Sequence, residues 1–151
     1  MSEEFDTSEI DELSTQDLIE LFNDTLYDLL KQLKTLVKND DDIAYAYGAF
    51  KDVIKFQQKL VLDGFIQYVS DYFERIKAKD ENYFLNLDTV DTMEEKYKGK
   101  VDDKYKDSII SKVFKFKKLF KELSKKDKEM FFYYLNLLRY ISCRYFIKTQ
   151  E

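Results

Sequence analysis

Histidine and proline are absent from this 151-residue chain, which has only one Cys and three Gly. Without histidine, the chain lacks the usual base of a nucleophilic triad and the Glu-x-x-His pairs of di-iron bundles. The lone Cys143 excludes a disulfide framework and a cysteine-rich zinc site. The three glycines are far apart, so they form no phosphate-binding loop. We therefore expect a non-enzymatic protein with no cofactor and no metal, and an active site built from carboxylates alone is the remaining catalytic alternative.

Long apolar runs are also missing. The first residues are acidic and carry no hydrophobic stretch, which argues against a secretory signal peptide. No run of 18 apolar residues is present, so we expect no transmembrane helix and no membrane partner. These features predict an intracellular protein that is not secreted, and Cys143 is expected to be a core residue.

Aromatic and charged residues are abundant instead. The chain has 12 Tyr and 13 Phe, and it is 44% hydrophobic and 36% charged, as expected for a folded domain. Residues with AT-rich codons, such as Lys, Phe, Tyr and Ile, are frequent, whereas Gly, Ala, Pro and Arg are rare. This bias indicates an AT-rich genome.

Helical periodicity is strongest near the two ends of the chain. Ser14 and Ser124 each precede a helical pattern as N-cap residues, with Asp17 and Asp127 at the third helical position. Apolar residues then recur at helical spacing. In the first helix they are Leu18, Phe22, Leu26, Leu29, Leu33 and Leu36, and in the last they are Phe131, Tyr134, Leu138, Ile141 and Tyr145.

Three further helices are predicted between these two. They span about 43–58, 60–78 and 103–123, with a short turn at 79–85 and a polar loop at 86–103. No strand pattern competes. The sequence thus predicts an all-α, single-domain bundle of about five helices over residues 14–151, preceded by an acidic, flexible segment at residues 1–13.

Charge is distributed unevenly along the chain. Residues 1–30 contain ten acids and no Lys or Arg, whereas residues 96–128 contain 13 Lys and five acids. The acidic and basic segments are expected to attract each other, either within one chain or between copies in a homo-oligomer. Five lysines form a possible basic contact face: Lys112, Lys115, Lys118, Lys121 and Lys125. That face is either a solvated helix surface or a surface that binds nucleic acid or another acidic partner.

Tyrosines provide a second candidate contact surface, because Tyr is enriched at protein interfaces. The candidates are Tyr45, Tyr133, Tyr140 and Tyr145. Core packing is the alternative interpretation of the same residues.

Three segments resemble a protein family of nucleocytoplasmic large DNA viruses. Residues 21–26 read Leu-Phe-Asn-Asp-Thr-Leu and residues 79–85 read Lys-Asp-Glu-Asn-Tyr-Phe-Leu. The third segment begins at 119 with Leu-Phe-Lys-Glu-Leu-Ser and continues through an aromatic–leucine pattern to Leu138. The resemblance implies a helical viral protein of the host cytoplasm or the virion, and it implies no catalytic residues.

The leading hypothesis is a viral protein that acts by protein–protein contact, either as a structural component of the virion or as a binder of a host factor. The alternative is a nucleic-acid or nucleoprotein accessory that uses the lysines around 112–128.

Overall fold

The computed structural model describes residues 5–86 and 115–150. Across these residues the chain is helical and contains no strand. The helices are α1 (Thr7–Asp11), α2 (Thr15–Leu36), α3 (Asp41–Phe56), α4 (Leu60–Val69), α5 (Phe73–Lys77), α6 (Glu81–Leu85), α7 (Phe116–Glu122) and α8 (Lys125–Thr149), with a 3₁₀ turn at Ser70–Tyr72. The predicted all-α, single-domain bundle is confirmed.

The N-caps that the sequence predicts are present. Ser14 Oγ accepts the backbone N–H of Asp17 at 3.1 Å, and Ser124 Oγ accepts that of Asp127 at 3.2 Å. Asp40 caps α3 by accepting the backbone N–H groups of Asp42 and Ile43. Each bond satisfies a donor that the first turn of a helix leaves without a partner, so the helix starts are determined locally.

The long helices α2 and α8 pack against each other in antiparallel orientation. Gln32 Nε2 on α2 donates to the Tyr134 hydroxyl at 2.6 Å, and Lys148 Nζ near the end of α8 donates to the carbonyl of Leu13 at 2.6 Å. Helix α8 also contacts α1, α4 and α5, which makes it the central helix of the described bundle.

An aromatic cluster centred on Phe84 fills the core between α6, α7 and α8. The fully buried Phe84 ring lies 4.7 Å from the Phe116 ring, 5.4 Å from Phe120 and 6.2 Å from Phe132, measured between centroids. Phe120 also packs on Phe131 at 5.4 Å. These contacts attach the short helix α6 to the bundle.

Several local predictions differ from the structure. The helix predicted from 103 to 123 does not run through Lys115, whose ψ of 73° is not helical, and α7 begins at Phe116. The helix predicted over 60–78 is divided by the 3₁₀ turn. Gly48 lies inside α3 although Gly is unfavourable there, and an added Cβ would meet no atom within 4 Å, so no close helix contact requires it. Apart from Asn86, the predicted loop at 86–103 lies outside the described residues.

Part of the segment that we expected to be a flexible lead-in forms helix α1. Asp6 caps this helix through the Ser8 backbone N–H at 3.0 Å. Ile10 on α1 is buried in the core, and Leu13 packs against it. The acidic segment therefore contributes side chains to the bundle from residue 5 onward.

Candidate interaction surfaces

A polar contact joins α1 to the C-terminal half of α8. The Tyr140 hydroxyl donates to Asp11 Oδ1 at 2.6 Å, and Arg144 Nε lies 3.1 Å from the same oxygen. Burial first, and then the bond to Asp11, raises the pKa of the Tyr140 hydroxyl above its ordinary value. The neutral hydroxyl is therefore the form that this contact stabilises.

An aromatic contact extends the same interface along α8. The Phe5 ring packs edge-on against Tyr133 at 6.2 Å and Tyr140 at 5.7 Å, as electrostatically favoured for aromatic pairs. Phe5 and Asp11 thus occupy a strip of α8 that runs from Tyr133 to Arg144. We call this strip the α1-binding face.

The structure brings two of the four candidate interface tyrosines together and separates the other two. Tyr133 and Tyr140 are half-buried beneath Phe5, so their interface is occupied by the chain's own N-terminal segment. Tyr145 is only 7% exposed and belongs to the core, because it lies on the inward stripe of α8. Tyr45 lies on α3 and is 47% exposed.

The candidate basic face is partly used for contacts within the chain. Lys115 Nζ lies 2.8 Å from Asp42 Oδ2, and Lys118 Nζ lies 3.1 Å from Asp40 Oδ2. Both carboxylates belong to the start of α3, where negative charge also favours the helix dipole. Lys121 and Lys125 are exposed, and Lys112 lies outside the described residues. Of the five lysines of the candidate face, Lys121 and Lys125 are thus the exposed ones in the described part of the chain, and the nucleic-acid alternative stays a prediction.

Sequence periodicity did not reveal a group of exposed apolar side chains at one end of the bundle. Phe56 is 84% exposed, Phe146 50% and Ile147 46%. Two contacts place them at this end: Gln16 on the first turn of α2 bonds to Gln58 at 2.9 Å, and Lys148 bonds to Leu13. We call Phe56, Phe146 and Ile147 the apolar end. Their exposure depends on which helix faces the bundle covers, which spacing along one helix does not specify.

A pair of tyrosines with adjacent lysines forms another surface feature, on α2 and α3. The rings of Tyr27 and Tyr47 stack at 5.6 Å, and their hydroxyl oxygens are 3.2 Å apart. Lys34 Nζ lies 4.7 Å above the Tyr47 ring, within cation–π range, and Lys31 and Lys51 are close to the two rings. The hydrogen bond to Tyr47 is the main cause of a raised pKa at Tyr27. These contacts join α2 to α3 at the surface.

Cys143 is half-buried rather than fully buried in the core. Burial raises the pKa of its thiol, although the positive charges of Arg139 and Lys77 act in the opposite direction. A thiol with a raised pKa is mostly protonated near neutral pH and is a poor nucleophile.

Within the described ranges, no group of three or more His, Cys, Asp or Glu side chains is placed to hold a metal ion. No helix in these same ranges is long and apolar enough to cross a membrane.

Comparison with protein families, with characterised proteins and with solved structures gives no match to this chain.

Proposed function

We propose that this chain is a non-enzymatic protein that acts by protein–protein contact, and that the apolar end is part of its contact surface. The 84% exposure of Phe56 is the observation that carries the proposal. Single exposed apolar residues are common on protein surfaces, whereas a contiguous exposed apolar patch marks an interaction site. Phe56 has Phe146 and Ile147 at the same end of the bundle, and burying large aromatic rings supplies much of the energy of protein interfaces.

We further propose a viral origin, with the protein acting in the host cytoplasm or the virion. The AT-rich codon bias and the three segments that resemble a family of nucleocytoplasmic large DNA viruses support this proposal. A structural component of the virion and a binder of a host factor are the two roles that fit it.

The test is affinity capture with the full chain from lysate of candidate host cells, with and without viral infection. The F56S/F146S variant removes two aromatic rings of the apolar end, whereas Y45S removes an exposed aromatic ring nearer the other end of α3. We expect F56S/F146S to lose proteins that the wild type and Y45S both retain. If F56S/F146S retains the same proteins as the wild type, the apolar end is not the contact surface.

A further inference from the structure

The chain reverses direction sharply between α1 and α2. Leu13 lies beside Lys148, at the end of α8, while Phe5 lies beside Tyr133, farther back along the same helix. Because α2 starts at the Lys148 end and runs antiparallel to α8, α1 and α2 form a helical hairpin on α8. Residues 12–14 make the whole turn of this hairpin.

Helix α1 owes its position to the contacts with α8. A five-residue helix is not stable alone in water, because the conformational entropy lost in nucleating a helix exceeds the stabilisation from one turn of hydrogen bonds. Asp11 binds Tyr140 and Arg144, and Phe5 packs on Tyr133 and Tyr140. The α1-binding face of any copy of the chain presents these same groups.

The turn at residues 12–14 contains no Gly or Pro, so every one of its residues is permitted inside a helix. Ser14 is the local feature that makes α2 begin as a separate helix. Its backbone is extended, and its hydroxyl caps the Asp17 N–H. If Leu13 and Ser14 both become helical, α1 and α2 form one continuous helix. Residues 7–14 would then project beyond the bundle by about 12 Å, at 1.5 Å per residue.

We propose that two copies of this chain exchange α1, so that α1 of each copy lies on the α1-binding face of the other. This proposal rests on the proposed function and identifies the partner as a second copy of the chain. The exchanged dimer keeps every α1–α8 contact of the single chain, and reciprocal exchange of an identical element closes the assembly with two-fold symmetry. The continuous helix projects from the apolar end, so the second copy meets Phe56, Phe146 and Ile147 there.

Charge complementarity specifies the register of this exchange. Asp11 is the acidic partner on α1, and Arg144 is the basic partner on α8. Acidic residues predominate from Asp6 to Glu12, which favours docking onto a face that carries Arg144 and Lys148.

Two complementary charge reversals test the exchange in the full chain. In D11R the chain's own α1 places a second guanidinium against Arg144, and in R144D the chain's own α8 places a second carboxylate against Asp11. In an exchanged heterodimer, α1 of D11R lies on α8 of R144D, and α1 of R144D lies on α8 of D11R. Only this arrangement places opposite charges at both α1–α8 contacts. We expect each variant alone to be monomeric and an equimolar mixture to form heterodimers, measured by light scattering coupled to size-exclusion chromatography.

The double variant D11R/R144D is the control, because it restores the opposite charges within one chain and between identical copies. We expect it to match the wild type, with a dimer fraction that rises with concentration. A mixture of D11R and R144D that stays monomeric at the highest soluble concentration overturns the exchange. Equal dimer formation by D11R alone, R144D alone and their mixture also overturns it, because the association would then not use Asp11 and Arg144.

The turn provides a second test with a matched control. Ser14→Ala removes the cap of α2 and favours the continuous helix, whereas Ser124→Ala removes a cap of the same geometry at the start of α8. We expect Ser14→Ala to raise the dimer fraction several-fold and Ser124→Ala to leave it unchanged. An equal effect of both substitutions would show that loss of a cap, rather than the α1–α2 turn, causes the association.

The two proposals fail in different ways. If the D11R and R144D mixture remains monomeric while F56S/F146S loses captured proteins, the apolar end binds a different protein. If the mixture forms heterodimers and capture shows no partner, the second copy is the partner.

Discussion

The Tyr140 hydroxyl and the Asp11 carboxylate, 129 residues apart in the chain, form a 2.6 Å hydrogen bond that joins α8 to α1. Arg144 lies 3.1 Å from the same carboxylate oxygen, so Asp11 receives both a neutral and a charged partner. This contact links the acidic N-terminal segment to the central helix of the bundle.

Removing the Tyr140 hydroxyl tests the pH dependence of this contact. Because the folded-state pKa of Tyr140 is raised, its contribution to stability is complete below the unfolded value of about 10 and is lost as the pH rises through the folded value. We expect Tyr140→Phe to cost about 1.5–3 kcal/mol at pH 7, the usual contribution of a hydrogen bond to a charged group. The difference from wild type should shrink in urea denaturation above about pH 10. A difference that stays constant with pH would contradict the assigned titration.

Two phenylalanines with opposite environments test the role of the aromatic cluster. Phe84 is fully buried and contacts rings of α7 and α8, whereas Phe56 is 84% exposed. We expect Phe84→Ala to lower the free energy of unfolding by about 3–5 kcal/mol, because it leaves a cavity. Phe56→Ala should change it by less than about 0.5 kcal/mol. Equal effects in thermal or urea denaturation would show that the cluster does not hold α6 in place.

Gly48 offers a stabilising substitution. It lies inside α3, it is exposed, and an added Cβ would meet nothing within 4 Å. Gly48→Ala should therefore raise the free energy of unfolding by about 0.4–1 kcal/mol, since Ala restricts the unfolded chain. Ala44→Gly, at an exposed site one turn earlier, is the matched reverse and should lower it by a similar amount. A destabilising Gly48→Ala would indicate a contact at this position.

Asp40 has two roles, helix capping and ion pairing, and two different substitutions distinguish them. Its side chain caps α3 and also pairs with Lys118. Asp40→Asn keeps a good capping residue and loses the pair, so we expect a cost below about 1 kcal/mol that falls as salt is added. Asp40→Ala loses the cap as well and should cost about 1 kcal/mol more. Equal costs for both substitutions in urea denaturation would assign the whole effect to the ion pair.

Local signals in the sequence were sufficient for the helices that begin with a capping serine. The hydroxyls of Ser14 and Ser124 reach N–H groups three residues away, so nothing distant is needed to predict those starts. The start of α7 was not predictable in this way, because periodicity runs through Lys115 without a signal for its non-helical backbone. Lys115 also pairs with Asp42, which lies 73 residues away in sequence.

For the candidate surfaces too, local sequence was sufficient for some features and tertiary structure decided others. Tyr133 and Tyr140 lie on the same side of α8, because residues seven apart in a helix share a face. The apolar stripe of the last helix already included Tyr145, which is buried, but no sequence pattern predicted that Phe5 covers Tyr133 and Tyr140. That cover depends on which segment packs on which face of α8.

Composition, periodicity and capping residues alone were sufficient for the all-α class and for the long first and last helices, because these follow from contacts within a few residues. Tertiary structure decided the docking of α1, the pairing of Lys115 and Lys118 with α3, and the exposure of Phe56, Phe146 and Ile147. These features join residues far apart in the chain, and their energies depend on how whole helices are arranged against each other.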